Sequence, residues 1–182
     1  MNTSVVTSKD PMHLVISTSL NPKSRSRILA TAAVAAIKKN QQQCELLDLA
    51  SMELPNCDGD QCYGHPDVIK LATAISSASS ILIASPIYNY DVSASCKNMI
   101  ELTGKAWTDK VVGFLVAAGG VSSYMGVMGL ANSLMLDFRC LIAPRFVYST
   151  GQAFAGDQIA EEDVIVRIDE LAKKMIQLSN NC

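Results

Sequence analysis

The sequence predicts an α/β fold: a doubly wound, three-layer sandwich around a five-stranded parallel sheet. Three observations lead there. Five continuous apolar runs recur along the chain, and they alternate with segments whose apolar residues have helical spacing. Unbroken apolar runs, as opposed to alternating ones, belong to parallel strands covered on both faces. Composition agrees, because 49% of residues are hydrophobic and only 18% charged, a lean surface for 182 residues. That length suits one domain with a substantial core, over residues 12–182, behind a mobile lead-in at 1–11.

Met12 to Ser17 (MHLVIS) is the first strand. A hydroxyl-rich turn precedes SRSRILATAAVAAIKK, where Ile28, Leu29, Ala32, Ala33, Ala36 and Ile37 recur at helical spacing. Lys38 and Lys39 close that helix where its dipole favours cations. Cys44 to Leu49 is the second strand; a loop through Leu54-Pro55 leads to a helix over Asp67 to Ser76. The third strand is Ser80 to Ala84, followed by a helix from Ser93 to Thr103, and the fourth is Lys110 to Ala118 (KVVGFLVAA). After Gly119-Gly120 a helix rich in small residues is expected from Ser123 to Leu136. Its Met125, Met128 and Met135, with Leu130 and Leu134, read as core or as a subunit interface.

Cys140 to Tyr148 is the fifth strand. Pro144 removes a ladder donor there, which predicts an edge strand or a bulge. In the closing helix Val164, Ile165, Ile168, Leu171, Ala172 and Met175 form one stripe, with acidic residues at the start and Lys173 and Lys174 near the end. Right-handed crossovers make 2-1-3-4-5 the economical strand order. Ligands of such sheets bind beyond the carboxyl ends of the strands, which directs attention to the loops after strands one, three and four.

Several function classes are disfavoured at once. A net charge of −2, with no basic run longer than two residues, lacks the electrostatic footprint of a nucleic-acid partner. No stretch has signal-peptide character or the length of a membrane span, so a cytoplasmic protein is expected. Six cysteines are expected to be free thiols, because a chain of this size needs no staples. The spacing of Cys57, Cys62 and His65 invites a metal but lacks a clear fourth ligand, which favours a plain loop.

The first loop, Ser17 to Arg27, carries five hydroxyls and the cations Lys23, Arg25 and Arg27 immediately before a helix N-terminus. Unsatisfied N–H groups and a partial positive charge meet there, the setting for an anion such as a single terminal phosphate. An ordinary helix cap would need only one or two of those serines. Neither G-x-x-x-x-G-K-[ST] nor G-x-G-x-x-G is present, so triphosphate and dinucleotide fingerprints are missing. The third loop, Pro86-Ile87-Tyr88-Asn89-Tyr90, offers aromatic faces and backbone for a flat ring, or else packs an interface or a neighbouring helix. In the fourth, Gly119 and Gly120 permit close backbone approach, and Tyr124 is a stacking candidate.

These stretches resemble the NADPH-dependent FMN reductase family of flavodoxin-like proteins, which includes quinone, azo-dye and chromate reductases. The resemblance rests on the serine loop before "RILA", on Leu54 to Asp60, and on "SPIYNYDVSASCKNMIE", whose Pro-x-Tyr-Asn is followed by Lys97-Asn98. It implies a flavodoxin-like sandwich with FMN as cofactor and NADPH or NADH as co-substrate. Ser19, Asn21, Ser24, Arg25 and Ser26 would then take the phosphate, Pro86, Ile87, Tyr88, Asn89 and Tyr90 would line the ring, and Gly119 and Gly120 would pass under its other edge. Departures from the family pattern include Ile87 where Glu is frequent and Tyr90 where a small residue is usual.

The expected function is transfer of electrons from a nicotinamide through the flavin to a quinone, azo compound, free flavin or similar small acceptor, by a ping-pong mechanism. No protein group is named as a catalytic acid, base or nucleophile, because the hard chemistry belongs to the cofactor. The alternative is a flavodoxin-like electron carrier without NAD(P)H activity, from which a stronger acidic face would be expected. A serine hydrolase is disfavoured because no G-x-S-x-G elbow exists. The resemblance also implies a homodimer or homotetramer in which a neighbouring subunit completes the site.

Overall fold

The protein is described by a computed structural model over residues 12–181; the lead-in expected at 1–11 and Cys182 lie outside the described residues. The elements in chain order are β1 (Met12–Ser17), α1 (Arg25–Lys39), β2 (Gln43–Asp48), α2 (Pro66–Ser77), β3 (Ser80–Tyr88), β4 (Asp91–Val92) and α3 (Ala94–Thr103). They continue with β5 (Val111–Ala118), α4 (Met128–Phe138), β6 (Leu141–Ile142), β7 (Val147–Thr150), β8 (Phe154–Ala155), β9 (Gln158–Ile159) and α5 (Glu162–Ser179). The main sheet runs β2-β1-β3-β5, with β6 and β7 both paired in parallel to the outer side of β5. This is the expected 2-1-3-4-5 order with a broken fifth strand. No helix among the described residues is long and apolar enough to cross a membrane.

Strand side chains alternate between two cores. Leu14, Ile16, Ile81, Ile83, Val112 and Phe114 face α2, α3 and α4, whereas Val15, Leu82, Ala84 and Leu115 face α1 and α5. Each fully buried large apolar side chain contributes about 1.5–3 kcal/mol, so the helices are held chiefly by these two faces. Helix α5 buries Val164, Ile168, Leu171, Ala172 and Met175, a narrower stripe than expected, because Ile165 is exposed. It also comes very near the sheet. A Cβ at Gly113 would lie 2.9 Å from Met175 Sδ and 2.8 Å from Leu82 Cδ2.

Three differences from the sequence reading bear on the site. Strand β3 continues through Pro86 to Tyr88 and folds back as β4, where the sequence suggested a strand ending at Ala84. Pairing with β1 ends at Ala84, so Pro86 needs no donor on that side while β5 still pairs it on the other. The helix expected from Ser123 begins as a 3-10 segment over Val121–Val127 and becomes α-helical only at Met128. The fifth strand breaks at Pro144 into β6 and β7, in keeping with its missing N–H.

Candidate functional site

The loop after β1 is held open by a side chain from the helix it precedes. Arg27 Nε and Nη2 donate to Asp48 at 2.5 and 3.2 Å, while Nη1 donates to Asn21 O at 2.8 Å and Nη2 to Ser19 O at 2.9 Å. Asp48 ends β2, the strand beside β1, which is why residues 21 apart in sequence meet here. The guanidinium therefore turns loop carbonyls toward itself and is consumed as a strut. Ser24 caps α1 by accepting from Arg27 N at 3.2 Å, and its hydroxyl lies 2.9 Å from that of Ser26. Ser19, Ser24 and Ser26 are all buried, and Ser17 Oγ, where the loop begins, is buried without a partner among the described residues.

A second anchor comes from α3. Ser95 Oγ donates to Thr18 O at 2.5 Å, Thr18 and Ser93 share hydroxyls at 3.3 Å, and Ser93 caps α3 through Cys96 N. Arg25 remains exposed; its guanidinium lies 5.8 Å from the Phe154 ring centre, the range of a cation–π contact. Gly151 makes room for it, since a Cβ there would fall 2.5 Å from Arg25 Nη1.

At the end of β3, Tyr88 pairs with Asp91, and Asn89 and Tyr90 form the two-residue turn between them with φ of 52° and 68°. Left-handed backbone at both central positions is the hairpin geometry usually met by Asn-Gly. Placing a tyrosine there costs about 1–2 kcal/mol. The turn packs on the 3-10 segment, where a Cβ at Gly126 would approach Tyr90 O to 3.1 Å. Beyond it, Tyr124 stacks against Phe146 at 5.0 Å and Tyr148 at 5.3 Å, and the Tyr148 hydroxyl donates to Gly120 O. Burial holds that hydroxyl above its ordinary pKa.

These pieces enclose a cavity of about 280 Å³ at the carboxyl ends of β1, β3 and β5. Of the residues singled out from sequence, Ser19, Asn21, Ser24, Arg25, Ser26, Pro86, Ile87, Tyr88 and Gly119 line it, together with Lys23, Ala117 and Ala118. Asn89 and Tyr90 form the adjacent hairpin tip; Gly120 and Tyr124 follow Gly119 on the 3-10 side and are not part of the lining. No carboxylate, imidazole or thiol lines the cavity. A larger groove of about 770 Å³ runs over α1 and α5, but it is floored by Ala32, Ala35 and Ala36; of its cations, Arg27 and Lys39 pair with Asp48 and Asp169, and Lys23 is shared with the smaller cavity. The smaller cavity brings together the buried hydroxyls of Ser19, Ser24 and Ser26 with Asn21, Lys23 and Arg25, whereas the larger groove shares only Ser24 and Lys23 of that set.

The NADPH-dependent FMN reductase family model matches residues 12–155, a span that contains every element of this cavity. The chain belongs to that family. An NAD(P)H-dependent FAD/FMN reductase from Geobacillus thermodenitrificans is 26% identical over 137 residues, 74% of each chain. An NADPH:quinone oxidoreductase from Arabidopsis thaliana is 30% identical over 144 residues, 75% of this chain and 74% of its own. The fold superposes on an NADH:FMN oxidoreductase crystal structure with a TM-score of 0.76 at 14% identity, covering 92% of this chain and 89% of the other.

Membership in this FMN reductase family makes the protein an oxidoreductase with FMN as cofactor and a reduced nicotinamide as co-substrate. Sequence reasoning singled out Arg25 but gave Arg27 no separate part, and it missed the strut to Asp48. The signal was available in the predicted strand order, which sets the end of strand two beside loop one. In sequence Tyr148 and Phe146 are simply strand residues, because their meeting with Tyr124 depends on the break at Pro144.

Proposed function

We propose that the protein is an FMN-dependent NAD(P)H oxidoreductase that passes electrons to a quinone or another small acceptor, such as an azo compound or free flavin, by a ping-pong mechanism. One observation carries the reading. The hydroxyl- and cation-bearing loop, the Pro86–Tyr88 backbone and Gly119 converge on a single cavity that no carboxylate, imidazole or thiol lines. FMN, when bound, supplies hydride acceptance at its ring and onward release of electrons. Everything asked of the chain is then binding, orientation and exclusion of water.

The donor set fits a phosphate monoester. Ser19, Ser24 and Ser26 offer buried hydroxyls, Asn21 an amide, Arg25 a cation steadied by Phe154, and the first turn of α1 its unpaired N–H groups. Pro86, Ile87, Tyr88, Asn89 and Tyr90 are assigned to one edge of the ring, Gly119 and Gly120 to the other, and Tyr124 to stacking at the mouth. Nicotinamide and acceptor would use the same open face in turn, which gives ping-pong kinetics.

The same reading includes a cytoplasmic homodimer or homotetramer. Val121, Met125, Met128, Met135 and Leu136 are exposed on the 3-10 segment and α4, whereas Leu130 and Leu134 of that helix are core. A neighbouring subunit covering those side chains would also close the mouth beside Tyr90 and Tyr124. Light scattering of the purified protein tests the assembly; a strict monomer at micromolar concentration would refute it.

The main test is spectroscopic. Purified protein titrated with FMN should show saturable flavin absorption shifts, and anaerobic NADPH or NADH should bleach the bound flavin within the mixing time of the experiment. Added quinone should restore the colour, and initial-rate plots should be parallel. Failure to take up FMN in excess overturns the assignment, bleaching that fails in the loaded protein leaves an electron carrier, and intersecting plots overturn the ping-pong order.

A further inference from the structure

Outside the cavity, the loop after β2 holds a second reactive pair. Cys57 and Cys62 are free thiols whose sulfurs lie 4.0 Å apart, and the Tyr63 hydroxyl is 3.7 Å from Cys57 Sγ. Both backbones are tethered. Cys57 N donates to Asn98 Oδ1 at 2.9 Å, Asn98 Nδ2 donates to Pro55 O at 2.8 Å, and Cys62 N donates to Asp58 Oδ1 at 3.1 Å. Between them Asp58, Gly59, Asp60 and Gln61 are exposed, with Gly59 at a φ of 76°, so the connecting residues have room to adjust.

We propose that Cys57 and Cys62 are a reversible oxidation site, a dithiol that a peroxide converts to an intramolecular disulfide. The sulfurs need to close by only about 2 Å to reach bonding distance. Cys57 is half-buried and Cys62 fully buried, so Cys57 meets the oxidant first. Burial, reinforced by the Asp58 carboxylate, holds the Cys62 thiol above its ordinary pKa, which suits it to resolving rather than initiating. The Cys57 sulfur attacks one peroxide oxygen and breaks the O–O bond, giving a sulfenic acid and one water. The Cys62 sulfur then displaces the hydroxyl as a second water, and the two thiol protons leave in those waters. Two thiols are thus oxidised by two electrons while the peroxide is reduced to water.

The other described thiols lack such a partner. Cys96 and Cys140 are buried, and burial pushes them up to about 12 and about 11; Cys44 is likewise raised to about 11. Among the described residues no cluster of three His, Cys, Asp or Glu assembles as a metal site, so Cys57 and Cys62 stand as a pair.

The test uses the folded full chain and one molar equivalent of hydrogen peroxide, with Trp107 fluorescence confirming that the fold persists. After alkylation, digestion with trypsin and a glutamyl endopeptidase separates residues 54–70, which carry both thiols, from 40–45, which carry Cys44. The 54–70 fragment should be two hydrogens lighter and unalkylated, and dithiothreitol should restore alkylation at both positions. In Cys62→Ser, dimedone should label Cys57. Full alkylation of both thiols after peroxide, sulfinic acid at Cys57 without a bridge, or no dimedone adduct in Cys62→Ser would each overturn the proposal. None of these readouts depends on flavin binding.

Discussion

Replacing Arg27 with alanine removes the strut of the phosphate-side loop and leaves every side chain assigned to the ligand in place. Five hydrogen bonds disappear, two to Asp48 and three to the carbonyls of Ser19, Asn21 and Pro22. Discounted for screening in a site about a quarter exposed, each bond nets about 0.4–0.8 kcal/mol, which gives a total of about 2–4 kcal/mol. That loss appears in the apo protein as a fall of about 1 M in the urea midpoint, followed through Trp107, which is fully buried and the chain's only tryptophan. Because the same carbonyls set the loop's shape, FMN dissociation should rise by about 10- to 30-fold in a flavin-fluorescence titration, equivalent to about 1.4–2 kcal/mol. Arg27→Lys retains the charge opposite Asp48 but loses the fork, so it should fall between the two proteins. An Arg27→Ala protein with an unchanged urea midpoint and an FMN affinity within twofold of the parent would refute the strut.

Three further outcomes follow from the same geometry. Tyr90→Gly should relieve about 1–2 kcal/mol of left-handed strain, partly offset by about 0.5–1 kcal/mol of added freedom in the unfolded chain. Its thermal midpoint should therefore hold or rise while the KM for a bulky quinone changes severalfold; a clear loss of stability would contradict the turn geometry. Gly151→Val should displace the Arg25 guanidinium, whose flexible end can move, so FMN binding should weaken about threefold to tenfold with stability kept within ~0.5 kcal/mol; an unchanged affinity would remove Arg25 from the phosphate site. Burial holds the His13 imidazole below its ordinary value of 6.5, so below that pH the unfolded chain takes up the proton first and stability declines toward the lower folded value. His13→Gln should flatten that acid slope by up to about 1.4 kcal/mol per pH unit in unfolding measured from pH 7.5 to 5, and equal slopes in both proteins would refute it.

What sequence makes legible is set by how local the signal is. The apolar runs at 12–17, 80–84 and 110–118 and their intervening helices follow from short-range periodicity, and periodicity plus handedness implies strand order. Pro144 signals an edge strand or a bulge because a missing N–H acts at its own position, and the structure goes further by breaking the strand there. Pro86 misled for the same reason: whether a strand tolerates proline depends on which neighbour has already ended, and β1 ends at Ala84. The Asn89-Tyr90 turn was hidden because tyrosine is a poor left-handed residue, and the packing of Gly126 beneath it is visible only in three dimensions. Arg25 and Arg27 look alike in sequence; only the distance to Asp48 separates a ligand candidate from a brace.

The broken fifth strand also governs how copies of the chain can meet. An intact outer strand would present a row of free N–H and C=O groups on which another molecule could add, the usual hazard of an open sheet. Pro144 has no donor to offer, and Arg145, at a φ of 59°, turns the backbone out of strand geometry between the two short segments. On the opposite side β2 carries exposed Glu45 among its outward residues, a charge that any added strand would have to bury. Both margins of the sheet thus carry features that discourage extension. A homo-oligomer of the kind proposed above would therefore meet through side-chain surfaces, such as the exposed apolar residues of the 3-10 segment and α4.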